Sequence, residues 1–335
     1  MTRPERHPLP RDYWYVAAAS AELGDQPLAV TLFALPVVLF RGKAGEPVAL
    51  HDRCPHRAAP LSLGVVAEGE IACPYHGWRF GAAGACTHIP SLLDGQKIAR
   101  GVGVRALPCR EAEGHVWVWM GEGPPAPATP PGLEGFAEAA WIQGGLDLAC
   151  EAIAPIENNL DFCHPNFTHP GTHPQYFEIQ RHGFRAIPLE LATTETGLVV
   201  RTQAPGVELI FDLPDRVIVA SPMPGGQDRR IVIHHTPTTP GHCRQHWMIA
   251  LETPAAGPAG SVRWTDGPAE IFEQDRRILE AAQLRYEQED PAFERSVEAD
   301  APTLLVRRII DAATAERWEV ERPRLARTRD LVVRS

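Results

Sequence analysis

Residues Asp52 to Trp78 read DRCPHRAAPLSLGVVAEGEIACPYHGW. Cys54 and His56 form a CxH pair, Cys73 and His76 form a CxxH pair, and sixteen residues separate His56 from Cys73. Two metal readings compete for this pattern. Two cysteines and two histidines can hold one zinc ion as a structural clamp. The order of the residues favours the other reading: zinc fingers usually bring cysteines as one pair and histidines as another, whereas each loop here supplies one thiolate and one imidazole. That mixture suits two sulfide-bridged irons, with the cysteines on one and the histidines on the other. Both loops contain proline, and the second contains glycine (RCPHRAAP, ACPYHGW), so turn N–H groups can point at sulfur and tune its potential. Trp78 reads equally well as a shield for the cluster or as an ordinary core tryptophan.

The surroundings of this stretch set the fold class. From Tyr13 to Met120, short apolar runs such as WYVAA, AVTLF, VVLFR and HVWVWM alternate with glycine, proline and charged turns, the pattern of a small all-β domain. Five prolines between Pro124 and Pro131 then exclude helix and central strand. Beyond them, Ile153, Ile156 and Leu160 have helical spacing. Alternating runs from Leu198 to Thr253 predict an antiparallel sheet, and the segments PAEIFEQDRRILEAAQLRYEQ and TLLVRRIIDAATAERW predict C-terminal helices. The expectation is an α+β protein with an all-β domain at 11–120, a proline-rich linker at 121–135 and a second domain at 136–335.

Composition bounds the function. The 335 residues include 44% hydrophobic and 22% charged ones, globular values, and their formal charge of −10 argues against a general nucleic-acid binder. An acidic surface would suit a basic protein partner. The polar, proline-broken start MTRPERHPLPRD lacks a secretory core, and LAVTLFALPVVLF is too short to span a bilayer, so a soluble cytoplasmic protein is expected. Seven cysteines, an odd number, do not suggest a disulfide framework.

A second constellation follows the linker. In ENNLDFCHPNFTH, Asp161, His164 and His169 have the spacing DxxH-x4-H. On a helix Asp161 and His164 share a face, and Pro165 is expected to end that helix just after His164, so that His169 can swing round to meet it. Two neutral imidazoles and one carboxylate make the facial triad of a mononuclear Fe(II) site. Asp275 supplies the carboxylate if EIFEQDRRILEAAQ is a helix with Ile271, Ile278, Leu279 and Ala282 on its apolar stripe; Asp266 and Glu273 remain alternatives. Pocket walls are expected from the sheet between 200 and 250, where His234 or His235 could face inward. Cys163 reads as a packed small hydrophobe.

Together these segments resemble the oxygenase (α) component of Rieske non-heme iron oxygenases over most of the chain. The length is closer to vanillate O-demethylase and dicamba monooxygenase types than to the longer ring dihydroxylases. The resemblance implies a [2Fe-2S] cluster on Cys54, His56, Cys73 and His76, and a helix-grip catalytic domain with Fe(II) on His164, His169 and Asp275. It implies O2 as co-substrate, a homotrimer, and electrons from an NAD(P)H-dependent reductase or ferredoxin. Asp161, with Asn158 in support, would bridge His76 of a neighbouring subunit to His164. The implied activity is hydroxylation or oxidative demethylation of a small aromatic or heterocyclic substrate. Ring cis-dihydroxylation, a Rieske-type electron carrier and a zinc-stapled binding module are the rivals.

Overall fold

The computed structural model describes residues 5–125, 140–203, 206–222, 228–251, 267–289 and 293–335. Most of the proline-rich segment expected to be a linker, and Asp266, lie outside the described residues. The chain divides into two compact units, one of Arg11–Gly132 and one of Met1–Pro10 with Leu133–Ser335.

The first unit is built of short antiparallel strands: β1 (Trp14–Ala19), β2 (Leu28–Leu32), β3 (Leu35–Arg41), β4 (Pro47–His51), β5 (Val65–Ala67), β6 (Glu70–Ala72), β7 (Arg79–Phe80), β8 (Cys86–His88), β9 (Ala106–Leu107), β10 (Cys109–Ala112) and β11 (His115–Trp119). They form three sheets, ordered β1-β11-β10, β2-β3-β4-β9 and β5-β6-β7-β8. The run LAVTLFALPVVLF is the β2–β3 hairpin, turning at Phe33 and Ala34 with φ of 50° and 62°. Val38, Phe40, Val48, Leu50, Leu61, Ile71 and Phe80 make a buried core, and Cys54 and Cys73 belong to it.

The second unit contains β12 (Ala140–Leu148), β13 (Ala186–Thr193), β14 (Gly197–Thr202), β15 (Glu208–Asp212), β16 (Arg216–Pro222), β17 (Asp228–Pro237), β18 (Cys243–Leu251) and β19 (Arg329–Arg334). They form one antiparallel eight-stranded sheet ordered β12-β18-β17-β16-β15-β14-β13-β19. The five alternating runs seen in the sequence are β14 to β18. The strands β12, β13 and β19 extend the sheet beyond that reading, β19 from a C-terminus expected to be helical. The helices are α1 (Ile153–Leu160), α2 (Pro165–Thr168), α3 (Pro174–His182), α4 (Gly267–Gln288), α5 (Ala301–Thr314) and α6 (Trp318–Leu325). α1 packs on β15 and β16 and touches α4 and α5. Ile153, Ile156 and Leu160 are its buried face. Among the described residues no helix is long and apolar enough to cross a membrane.

Three local expectations are corrected. The helix ends at Leu160, and Asp161 is already extended with ψ of 112°, so Asp161 and His164 do not share a helical face. Pro165 does not stop a helix; it starts α2 at the first helical position, where its missing N–H costs nothing. On α4 the buried positions are Phe272, Asp275 and Gln283, whereas Ile278 is 53% exposed. Asp275 does point inward, on a stripe that excludes Ile278.

Candidate active site

In the first unit two loops of like construction hold the Cys/His pairs. The Cys54 N–H donates to the Ala59 carbonyl at 2.9 Å, and the Ala58 N–H donates to the Cys54 carbonyl at 2.9 Å. The second loop repeats this: Cys73 N–H to Trp78 carbonyl at 2.8 Å, Gly77 N–H to Cys73 carbonyl at 3.0 Å. Each closure needs a left-handed residue, Ala58 at φ 58° and Gly77 at φ 70°. Both cysteines are buried in the core while His56 and His76 are exposed, their rings 4.6 Å apart. Trp78, packed against the core, stacks on His56 at 4.7 Å with planes within 5°.

The donor set fits a binuclear iron–sulfur group. Burial raises the Cys54 thiol, while the N–H groups of His56 and Arg57, aimed at its sulfur, favour the thiolate, and the Cys73 thiol lies within hydrogen-bonding reach. Sulfur ligands inside and imidazoles at the surface give such a cluster one protected and one open side.

In the second unit His164, His169 and Asp275 converge, their ligand atoms all within 4.8 Å of one another. His164 follows the break at Asp161, and its Nδ1–H donates to the Asp161 main-chain carbonyl at 2.7 Å. His169 follows α2, and its Nδ1–H donates to Gln274 Oε1 at 2.9 Å, an oxygen that also accepts from Thr172 Oγ1 at 3.0 Å. With both Nδ1 atoms committed, each Nε2 is a bare lone pair. Those lone pairs face Asp275 Oδ1, at 3.8 Å from His164 and 3.3 Å from His169. Asp275 Oδ1 is buried and accepts no hydrogen bond.

Three acceptors pointing at one another repel unless a cation or a shared proton lies between them. First-row metals bind such donors at about 2.0–2.2 Å, which places neighbouring ligands on one ion roughly 3 Å apart. The histidine protonation states suit a metal. Burial drives the His164 pKa down to about 4 and lowers that of His169, so both are neutral at pH 7, as ligands must be. Burial lifts Asp275 to about 7, and Asn158, which faces the same carboxylate, favours its charged form. Asn158 Nδ2 also sits 3.5 Å from His164 Nε2.

Of the other carboxylates, Glu273 pairs with Arg276 and Arg277 at the helix surface and stays away from the triad. Asp161 meets His164 through its main-chain carbonyl, not its carboxylate; Oδ1 instead accepts from the Cys163 N–H at 2.7 Å. Burial raises the Asp161 pKa and lifts the Cys163 thiol to about 11, keeping that sulfur protonated.

A cavity of about 140 Å³ opens beside the triad. Its sheet wall carries Leu209, Val219, Ser221, Arg229, Ile231, Ile233 and Ile249, all odd-numbered positions on one face. His234 and His235 do not line it. His235 is fully buried, its Nδ1–H donating to the Asp215 carbonyl at 2.8 Å and its Nε2 accepting from Asn159 Nδ2 at 3.0 Å; His234 Nδ1 lies 3.3 Å from Asp215 Oδ1. Sequence reasoning missed Gln274, His173, Ser221 and Arg229. The period-2 alternation of β17 would have placed Arg229 on the face of Ile231 and Ile233; nothing in the sequence marks Gln274 as a partner of His169.

One compact unit thus presents two Cys/His loops, and the other a pocket with two histidines and a carboxylate. Residues 13–99 match the Rieske [2Fe-2S] domain, and residues 207–316 match the vanillate O-demethylase oxygenase C-terminal domain. The chain carries a Rieske [2Fe-2S] domain and a vanillate O-demethylase oxygenase C-terminal domain. It is 46% identical to chlorophyllide a oxygenase of Chlamydomonas reinhardtii over 168 residues, 48% of this chain and 25% of that protein. It is 36% identical to the oxygenase component of dicamba O-demethylase from Stenotrophomonas maltophilia over 164 residues, 48% of this chain and 47% of that one. The chain thus spans from a quarter to under half of these relatives. Pseudomonas putida CBB5 NdmA, solved with caffeine, shares the fold with a TM-score of 0.77 at 22% identity, covering 97% of this chain and 98% of its own.

Proposed function

We propose that this chain is a terminal oxygenase that uses O2 and electrons from an NAD(P)H-dependent reductase or ferredoxin to hydroxylate or oxidatively demethylate a small aromatic or heterocyclic compound. The observation that carries this reading is the convergence of the His164, His169 and Asp275 lone pairs beside an apolar cavity, in a chain with a Rieske domain. In this reading residues 11–120 hold the cluster through Cys54, His56, Cys73 and His76, with Trp78 as its shield. Residues 121–135 form the linker, and 136–335 hold the iron through His164, His169 and Asp275. When bound, the cluster supplies single electrons and the mononuclear iron supplies oxygen activation.

The protein's own residues do the rest. Gln274 and the Asp161 carbonyl fix the two imidazole tautomers. The apolar sheet wall excludes water and holds the substrate against the triad. A cavity of about 140 Å³ suits one ring, since a cavity of roughly 150 Å³ takes benzene. For an aryl methyl ether, O2, two electrons and two protons give a hemiacetal and water; the hemiacetal then collapses to the phenol and formaldehyde. The match of 207–316 to vanillate O-demethylase C-terminal domains supports this chemistry over ring cis-dihydroxylation. Asp161, supported by Asn158, is the proposed electron path from His76 of the partner subunit to His164 in a homotrimer. A soluble cytoplasmic location belongs to the same proposal.

Screening methoxy- and N-methyl compounds against the holoenzyme with a generic reductase tests it. Formaldehyde or hydroxylated product coupled to O2 uptake is expected. A cluster that cycles between reduced and oxidised states with no product from any compound would favour the electron carrier.

A further inference from the structure

Building on the reading that the cavity beside the triad takes the substrate, we infer that His173 is a specificity-determining residue of that cavity, its Nε2–H donating to an acceptor oxygen on the ring substrate. His173 lines the cavity and stands at the N-cap of α3, with extended backbone at φ −94° and ψ 138°. Its Nδ1 accepts from the Gln175 N–H at 3.2 Å, the capping bond of that helix. A neutral imidazole with one nitrogen accepting carries its proton on the other. The cap therefore fixes the tautomer and leaves Nε2–H as a donor.

Burial holds the ring neutral at pH 7, with a pKa of about 3. The protonated Nε2 has no lone pair for a metal, so His173 is not a fourth ligand, although its ring centre is 5.9 Å from that of His169. The His173 N–H donates to the His169 carbonyl at 3.4 Å, which ties the two residues through the main chain as well. The side-chain amides at the cavity have partners of their own: Gln175 Nε2 donates to the Phe162 carbonyl at 3.0 Å, and Asn159 Nδ2 to His235 Nε2 at 3.0 Å. Ser221 and Arg229 pair with each other on the sheet wall.

An N–H facing an aliphatic cavity is costly to leave unmet, so a substrate that brings an acceptor gains over one that does not. An oxygen held at His173 keeps the neighbouring ring positions beside the triad. His173 then sets both the preference for an acceptor and which substituent reaches the triad.

The test uses the isosteric probes 2-methoxybenzaldehyde and 2-vinylanisole with the holoenzyme, reading binding by calorimetry without O2 and turnover by the phenol released. The aldehyde is expected to bind roughly 3- to 30-fold tighter than the vinyl compound. That ratio should collapse toward one in His173→Asn, which keeps a helix-capping acceptor but lacks the imidazole donor, at unchanged iron and sulfide content. Equal affinity for the two probes in the wild type, no binding of the aldehyde, a preference that survives His173→Asn, or loss of the mononuclear iron from that variant overturns the inference. If His173→Asn does not fold, the infrared carbonyl stretch of the aldehyde bound to the wild type decides: a band at lower frequency than in an apolar solvent supports the donor, and an unshifted band contradicts it. His173-dependent binding of the aldehyde with no product from either probe would count against the oxygenase reading and leave the donor standing. Turnover of both probes at equal affinity would do the reverse.

Discussion

His169 presents Nε2 to the triad because its Nδ1–H is committed to Gln274, and Gln274 is held in turn by Thr172. Replacing Gln274 with leucine removes that acceptor and frees the imidazole to change tautomer and orientation. Loss of such a partner typically weakens metal affinity by roughly 10- to 100-fold. Chelator competition should therefore show Gln274→Leu losing the mononuclear iron at correspondingly lower chelator concentration, with the visible spectrum of the cluster unchanged. The ligand candidates were legible in the sequence because cysteine and histidine at short fixed spacings are rare outside metal sites. Gln274 was not, since an amide next to a carboxylate has no distinctive pattern. Asp161 was legible as a member of the segment, but only the structure shows that its main-chain carbonyl, not its carboxylate, meets His164.

The strand β17 and the helix α1 are locked together through His235, which bonds the Asp215 carbonyl on one side and Asn159 on the other. Asn159 neighbours Asn158 and precedes the Asp161 break, so this link positions the start of the ligand segment. Burial lowers the His235 pKa from an ordinary 6.5 to about 4, so the folded state keeps it neutral while the unfolded chain takes up a proton below pH 6.5. Its contribution is therefore intact above pH 6.5 and is lost as pH falls toward 4, amounting to about 3 kcal/mol. Denaturant unfolding across that range should show stability falling more steeply in the wild type than in His235→Gln, by close to one proton. Identical slopes would contradict the role. The sequence showed these elements through periodicity, but it misplaced the break: Pro165 was expected to end a helix that Asp161 had already ended. It also missed β12, β13 and β19; the C-terminal RDLVVR becomes a strand by pairing with β13, a partner far away in sequence.

Across the whole molecule, two independent metal-site patterns occupy separate compact units of one chain; one lies within the 13–99 family match, whereas the 207–316 match includes Asp275 but not His164 or His169. Their coupling is the functional claim, and Asp161 is its proposed carrier. Asparagine at 161 keeps an oxygen to accept from the Cys163 N–H, so the loop should hold its shape while the carboxylate charge is lost. Asp161→Asn is expected to retain both metal centres and to abolish product formation; an active variant would remove the bridge. The most direct test of the account is metal and acid-labile sulfide analysis of the purified holoprotein, beside Asp275→Ala. Iron with labile sulfide, plus a further iron that Asp275→Ala loses while the red-brown cluster stays intact, is the predicted result. Zinc without sulfide, or loss of the cluster on replacing Asp275, would contradict it.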